Sequence, residues 1–360
     1  MKTIRDLDLT VMTGLMDELG EKPFRARQLF EWVHARGTAS FDEMSNLSKA
    51  LRRELSERFI IDPLRLLKKQ ESADGSTKKY LFELPDGETV ESVWMRYRHG
   101  DSICVSSQVG CRMGCTFCAS TLNGRVRDLT PGEIISQIYD IERDVYRDTD
   151  GSNSAGHISG VIIMGMGEPF DNYDNVIAFV RLLTDSKGRN MSARSITIST
   201  CGIPDGIIRL AEEGLPVTLA LSLHAPNDGL RQAIMPIAKK YPLKDVLSAC
   251  EYFFKKTGRR VTFEYSLMKG VNDSDAAAVE LSELCMRLQK KGMPVHVNLI
   301  PLNEVAERKL TRSREEIILG FKRILENNRI NVTVRREMGH EIDAACGQLR
   351  HKHTGDTFSG

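Results

Sequence analysis

The sequence predicts an α/β protein: a partial, parallel barrel of six βα units, preceded by a helical module and a short hairpin. Two observations predict it. From about residue 100 onward, short β-rich runs alternate with stretches of helical periodicity, the pattern of a parallel sheet with crossover helices. Six such units are too few for a closed eight-fold barrel, which leaves an open one.

Residues 1–75 read as helical. Pro23 suits the first turn of a helix. Ala26, Leu29, Phe30 and Val33 then repeat at helical spacing until Gly37 ends the run. A second helix is expected to carry Met44, Leu47, Leu51, Leu55 and Phe59 on one stripe. KKYLFEL and ETVESVWM flank Pro85-Asp86-Gly87 and read as a connecting hairpin over 76–100. The barrel is expected over 101–336. Its strands are 102–107, 158–164, 195–200, 217–223, 261–267 and 295–300, and its helices 131–148, 172–186, 204–214, 242–257, 275–291 and 313–327. A last strand, INVTVRR, follows. The segment 337–360 ends in a polar stretch, HKHTGDTFSG, expected to be disordered.

Composition narrows the class. The chain has 360 residues and a net charge of only +1, so no global basic field announces nucleic acid. Paired basic residues (Lys68 and Lys69, Lys78 and Lys79, Arg125 and Arg127, Lys239 and Lys240, Arg259 and Arg260, Arg335 and Arg336) read singly as solvated faces, and together permit RNA contact. No apolar run approaches the roughly 20 residues a bilayer crossing needs. MKTIRDLDLT lacks the apolar core of a signal peptide. Eight cysteines, three of them closely spaced, argue for a reducing, cytoplasmic setting rather than a disulfide framework. A monomer is the default expectation.

The most specific motif is GCRMGCTFCAS, which places Cys111, Cys115 and Cys118 in one loop with Phe117 before the last. A closed structural zinc site takes four ligands. Three thiolates on an iron–sulfur cubane leave one iron open. The spacing resembles the radical S-adenosylmethionine (radical-SAM) enzymes, whose open iron chelates the methionine end of S-adenosylmethionine. Polar or small residues also stand at every strand end: Gly167, Glu168 and Pro169 in GMGEP; Ser199, Thr200 and Cys201; Ser222 and His224; Lys269, Gly270 and Asn272; and Asn303. Each alone reads as a cap or turn. Together, on the rim where barrels of this type do chemistry, they read as a cofactor site. GMGEP lacks dinucleotide-binding spacing. Cys250 and Cys285 fall in helical patterns and read as core. Cys346, in a small-residue run near the C-terminus, reads as a thiol able to reach the barrel mouth, and Cys104 precedes the cluster loop by seven residues.

The strings CVSSQVGCRMGCTFCAS, MGMGEP, STCG, LSLHAPND, TFEYSLMKGVND, VNLIPLN and VTVRREMGHEIDAACGQL resemble the RlmN-type radical-SAM methyltransferases over nearly the whole chain. The resemblance implies methylation of carbon 2 of adenosine in 23S rRNA and tRNA, and a barrel of radical-SAM type with an accessory N-terminal domain. It implies a 4Fe–4S cluster on Cys111, Cys115 and Cys118, and S-adenosylmethionine contacts at Gly167, Glu168, Ser199, Ser222, His224 and Asn303, the third station being readable at Ser199 or Thr200. It further implies that Cys346 carries the methyl as a covalent intermediate. A 5′-deoxyadenosyl radical activates that methyl. Glu91 accepts the carbon 2 proton, and Cys104 resolves the protein–RNA link through a transient disulfide with Cys346. An electron donor for the cluster and a thiol reductant for the disulfide follow. Three rivals remain at this point: a Cfr-type enzyme acting on carbon 8, a non-catalytic RNA-binding module with zinc on four cysteines including Cys104, and a radical-SAM enzyme acting on another substrate.

Overall fold

The computed structural model describes residues 2–146, 158–335 and 349–350. The front of the chain is helical: α1 (Leu9–Glu18), α2 (Phe24–Phe30) and α3 (Lys49–Arg58). Asp8 caps α1 by accepting from the Val11 amide, and Ser48 caps α3 by accepting from Leu51. That Ser48 cap starts α3 later than the apolar stripe suggests. Met44 and Leu47 are buried ahead of the helix, and Phe59 lies in a two-residue strand paired with Lys2–Thr3. Ala26, Leu29, Phe30 and Val33 are buried as expected, and the run stops at Gly37, whose positive φ of 60° suits glycine.

Ten strands form one sheet. They are β1 (Arg65–Glu71), β2 (Thr77–Glu83), β3 (Thr89–Tyr97), β4 (Gly100–Cys104), β5 (Ile158–Ile163), β6 (Ile196–Thr200), β7 (Thr218–Ser222), β8 (Val261–Leu267), β9 (Val295–Pro301) and β10 (Asn331–Val334). Every strand lies beside its neighbour in sequence. β4 to β10 are parallel, and β1 to β4 are antiparallel. Right-handed crossovers between consecutive parallel strands put all the connecting helices on one face, the winding of a barrel rather than of a two-faced open sheet. Those helices are α4 (Pro131–Tyr146), α5 (Tyr173–Thr184), α6 (Pro204–Glu212), α7 (Asp228–Ile234), α8 (Leu243–Thr257), α9 (Asp275–Lys290) and α10 (Glu315–Asn327). Two expectations are corrected. Arg65–Glu71 is a strand, not part of the helical front, and the hairpin is no separate connector but extends the barrel sheet. The segment 102–107 also leaves regular strand geometry after Cys104, where the chain turns toward the cysteine loop.

Period-two alternation sorts the side chains. Ile103, Val161, Ile163, Ile196, Ile198, Leu219, Leu221, Phe263, Val297 and Leu299 bury under the helices in the main core. The opposite, inner face carries Glu91, Val93, Cys104, Ile162, Ser199, Ser222, Glu264 and Asn298, joined by register or by alternation along each strand. Glu264 accepts from Asn298 Nδ2 at 2.8 Å, so polar groups on this face satisfy one another.

The helical front is fastened to α4. Arg5 is fully buried and donates to Asp62 (3.2 Å), Ser136 Oγ (2.8 Å) and the Thr38 carbonyl (3.0 Å). His34 bonds the Leu7 carbonyl through Nε2 at 3.2 Å and packs beside Tyr139. Among the described residues no helix is long and apolar enough to cross a membrane.

Burial lowers the pKa of His34 to about 4. Its folded value lies below its unfolded one, so its stabilising contribution is complete above about pH 6.5 and is lost as pH falls toward 4. Thermal melts across that window are expected to fall with acidification, and His34→Gln is expected to flatten part of the decline.

Candidate active site

Past β4 the chain forms a second small pair, Gln108–Gly110 with Arg125–Asp128, and the cysteine loop lies between its strands. Gly110 has φ 74°, and a Cβ there would lie 1.9 Å from the Gly124 carbonyl oxygen, so only glycine permits this closure. The Cys111 amide donates to Gly124, the Cys118 amide to the Cys115 carbonyl, and Thr121 Oγ1 to the carbonyls of Cys115 (3.1 Å) and Cys118 (2.9 Å). Backbone bonds therefore fix the loop, and the sulfurs are spared from that task. Cys111 and Cys115 are buried and Cys118 is half-buried; none is in a disulfide. Burial pushes the Cys111 thiol up to about 12 and Cys115 well above the ordinary thiol range, with Cys118 and the Glu168 carboxylate reinforcing both. Such thiols ionise readily only against a local cation, which is what a bound metal supplies. Among the described residues no group of three His, Cys, Asp or Glu is arranged to hold a single metal ion. A polynuclear cluster gives each thiolate its own iron, so it suits three thiols spaced along one loop. Cys104 packs with Val93 and Met95, apart from the group holding Cys111 and Cys115. It is no fourth ligand of a tetrahedral zinc site.

The GMGEP turn after β5 is clamped to this loop. Ser107 and Gln108 amides both donate to the Met166 carbonyl. Gly167 has φ 108°, and a Cβ would meet Gln108 at 2.7 Å. Gln108 Oε1 accepts from the Glu168 amide at 2.8 Å, and its Nε2 donates to Asp128 at 2.7 Å. The Glu168 carboxylate is buried and accepts from the Phe170 amide (3.1 Å), Thr200 Oγ1 (2.7 Å) and the Cys201 amide (2.8 Å). Burial raises its pKa against those bonds. The Cys201 side chain also bonds it, so the carboxylate is held on all sides by this rim.

Ser199 and Ser222 face each other across β6 and β7 with hydroxyls 3.4 Å apart, whereas Thr200 turns to Glu168. Ser199, not Thr200, is therefore the open station on the inner face. His224 has a positive φ of 55°, uncommon for a residue with a Cβ. Its Nδ1 accepts from the Ser266 amide at 3.0 Å, which leaves the proton on Nε2. Burial, helped by Arg231, lowers its pKa to about 3, so it is a neutral donor. Its ring meets Phe117 edge-on, 4.8 Å between centroids, tying the cysteine loop to β7. Asn272 braces this turn, donating to the carbonyls of His224 (2.8 Å) and Ser266 (2.7 Å). Asn303 is exposed beyond β9.

Glu91 is buried on β3, and Lys79 Nζ of β2 lies 2.9 Å from its Oε2. The Arg350 amide donates to its other oxygen, and the Arg350 guanidinium reaches Glu88 at 2.9 Å. Cys104 is buried one strand over, paired in register with Val93, two residues from Glu91. Cys346 lies outside the described residues, as does the polar C-terminal stretch. Cys250 and Cys285 are buried in α8 and α9 as expected.

Several site residues escaped the sequence reading. Cys201, in the sequence only one member of a strand end, packs against Cys111 and Cys115. Lys79 looked like half of a surface pair and is fully buried. Arg127 of another pair bonds Glu133 and Asp86, and Lys69 bonds Asp144, so these cations serve internal ion pairs rather than an open basic face. Gln108 lies inside a motif string with nothing to mark its role, and Arg231 carries no motif signal; packing of the small strand pair and of α7 brings them to the rim.

Comparison with known proteins agrees with this geometry. A model described as the ribosomal RNA large subunit methyltransferase N-terminal domain matches residues 3–61, and the Radical SAM superfamily model matches 105–282. A protein of Lachnoclostridium phytofermentans named "Probable dual-specificity RNA methyltransferase RlmN" is 51% identical over 355 residues, covering 99% of this chain and 96% of its own. The chain belongs to the RlmN family of radical-SAM RNA methyltransferases. A Symbiobacterium thermophilum protein of the same name is 52% identical, covering 96% of this chain and 90% of its own. The solved radical SAM methyltransferase of Sphaerobacter thermophilus superposes with a TM-score of 0.90 at 41% identity, covering 97% of this chain and 99% of that one. Membership of the RlmN family makes the protein an enzyme and carries a 4Fe–4S cluster and S-adenosylmethionine with it.

The buried Lys79–Glu91 pair yields a sharp test. Lys79→Met strands a carboxylate in the sheet and is expected to cost about 3–5 kcal/mol in denaturant unfolding. Lys79→Met with Glu91→Leu is expected to regain most of that.

Proposed function

We propose that this RlmN-family enzyme methylates carbon 2 of adenosine in 23S rRNA and in tRNA by way of a methylated Cys346. Cys111, Cys115 and Cys118 would hold the 4Fe–4S cluster. Gly167, Glu168, Ser199, Ser222, His224 and Asn303 would hold S-adenosylmethionine. The donor set fits both groups: three thiols on one backbone-fixed loop, two buried and one half-buried, a serine pair on the inner face and a neutral histidine donor. Bound there, the pair supplies low-potential one-electron chemistry that opens an otherwise inert C–H bond.

Carbon 2 of adenine is an amidine carbon and no nucleophile, so displacement on a sulfonium methyl is closed to it. A thiolate has no such bar, and Cys346 is the residue assigned to receive the methyl. Glu91 would accept the proton that carbon 2 must lose. Cys104 would then attack the Cys346 sulfur, forming an S–S bond, while the pair of the broken S–C bond passes to the product. A thiol reductant would reset the disulfide, and a separate low-potential donor would serve the cluster. The substrate base must be unstacked to reach the rim, as loop adenosines are. The enzyme is read as a cytoplasmic monomer.

One observation carries this reading. Glu91 and Cys104 lie on adjacent strands of the inner face, and the chain four residues beyond Cys346 is anchored to Glu91 through the Arg350 amide. Arg350 is only four residues along the chain from Cys346, which supports assigning that thiol to act with Glu91 and Cys104. The resemblance of the whole chain to the carbon 2 group favours that position over carbon 8.

Mass spectrometry of rRNA and tRNA digests from cells lacking the protein, with and without its re-expression, is the direct test. Restored 2-methyladenosine is expected; restored 8-methyladenosine instead would sink the assignment. Cys104→Ala is expected to stall with RNA covalently joined to the protein. Normal turnover without adduct would overturn the methyl-cysteine scheme.

A further inference from the structure

Arg231 of α7 is completely buried beside the cysteine loop. Its Nε donates to the Leu223 carbonyl at 3.3 Å, and its Nη2 to the carbonyls of Cys201 and Ser222. Among the described residues its Nη1 has no hydrogen-bond partner, and its hydrogen bonds go to main-chain carbonyls rather than to a carboxylate. The charged and titratable groups that act on it electrostatically are Cys201, Cys115, Asp228 and Cys250, while its own charge bears on His224. Glu168 sits on the far side of Cys201, whose amide donates to Glu168 and whose carbonyl accepts from Arg231.

A guanidinium stays protonated in proteins, and burying one without a carboxylate is costly unless an anion lies close by. Three main-chain carbonyls solvate it only in part. The neighbouring loop would supply the missing anions once its cysteines bind a metal as thiolates. We propose that Arg231 is the fixed counter-charge of the metal centre held by Cys111, Cys115 and Cys118, and that it raises that centre's reduction potential.

The reasoning is electrostatic. One-electron reduction adds negative charge at the thiolate-bound metal without making or breaking a bond to Arg231. A cation fixed a short way off, in a region that excludes water, stabilises the reduced form more than the oxidised one. A preorganised guanidinium does this without reorganising. Arg231 touches no reacting atom and acts through the centre, so it is a tuning residue rather than a catalytic one. The inference rests on the three cysteines being cluster ligands.

Anaerobically reconstituted wild-type, Arg231→Gln and Arg231→Lys proteins, titrated with dithionite against mediator dyes and followed by electron paramagnetic resonance, test it. Arg231→Gln is expected to disfavour reduction by at least tenfold, a shift of about 59 mV to more negative potential for one electron. Arg231→Lys, which keeps the charge but loses the three-carbonyl fork, is expected to stay within a few-fold of wild type. An unchanged potential in Arg231→Gln, or Lys and Gln variants that shift equally, overturns the proposal and leaves Arg231 a staple of strand ends. If Arg231→Gln takes up no iron, loading becomes the readout. Retained thermal stability with loading rescued by Arg231→Lys supports the charge role, and loss of both loading and stability in both variants overturns it. Wild-type protein that takes up no iron and sulfide would instead defeat the reading of the three cysteines themselves.

Discussion

The rim of the sheet depends on how two opposite buried charges are satisfied through backbone. Glu168 takes hydrogen bonds from the Phe170 and Cys201 amides and from Thr200; Arg231 gives them to the carbonyls of Cys201, Ser222 and Leu223. Cys201 thus stands between an anion and a cation, bonded to each. Gln108 extends the chain of bonds from Glu168 to the strand that launches the cysteine loop. A parallel sheet leaves its strand-end amides and carbonyls unpaired just where a cofactor must sit. Here those groups are spent on fixing the loop, the glycine turn and β6 against one another, because an unpaired buried polar group costs more than a made bond returns.

That constraint explains the division of labour along the inner face. At the parallel end small residues line the face, Ser199 and Ser222, while Gly167 lets the turn pack directly against Gln108. His224 is held neutral and in one tautomer by a backbone amide, so it offers a donor without adding charge beside the thiols. At the antiparallel end the face turns apolar around Val93, Met95 and Cys104, with the Lys79–Glu91 pair next to it. The thiol exchanger and proton acceptor proposed for Cys104 and Glu91 would need different surroundings from a metal loop, and a sheet that continues past the parallel strands offers both surroundings on one continuous surface.

Much of the barrel was legible in the linear order of residues. Alternation between β-rich runs and helical stretches is a local property, and the parallel strands and long helices fall within a few residues of where that pattern puts them. Arg65–Glu71 was misread because its strand is an edge strand of exposed, charged residues whose pairing with β2 supplies the order. The α3 stripe was misread at both ends because helical spacing of apolar residues cannot distinguish a helix from buried residues that flank one. The cap at Ser48 and the pairing of Phe59 with the chain start decide its limits.

The sequence by itself determined the spacing of the cysteine loop, because CxxxCxxC is a covalent order that no packing can alter, and the long motif strings carried the family. Tertiary structure alone decided which polar residues share a site. Lys79 and Glu91 are twelve residues apart, Glu168 and Cys201 thirty-three, Cys201 and Arg231 thirty. Only register between strands, and the burial that forces each charge to find its partner, brings them within bonding distance.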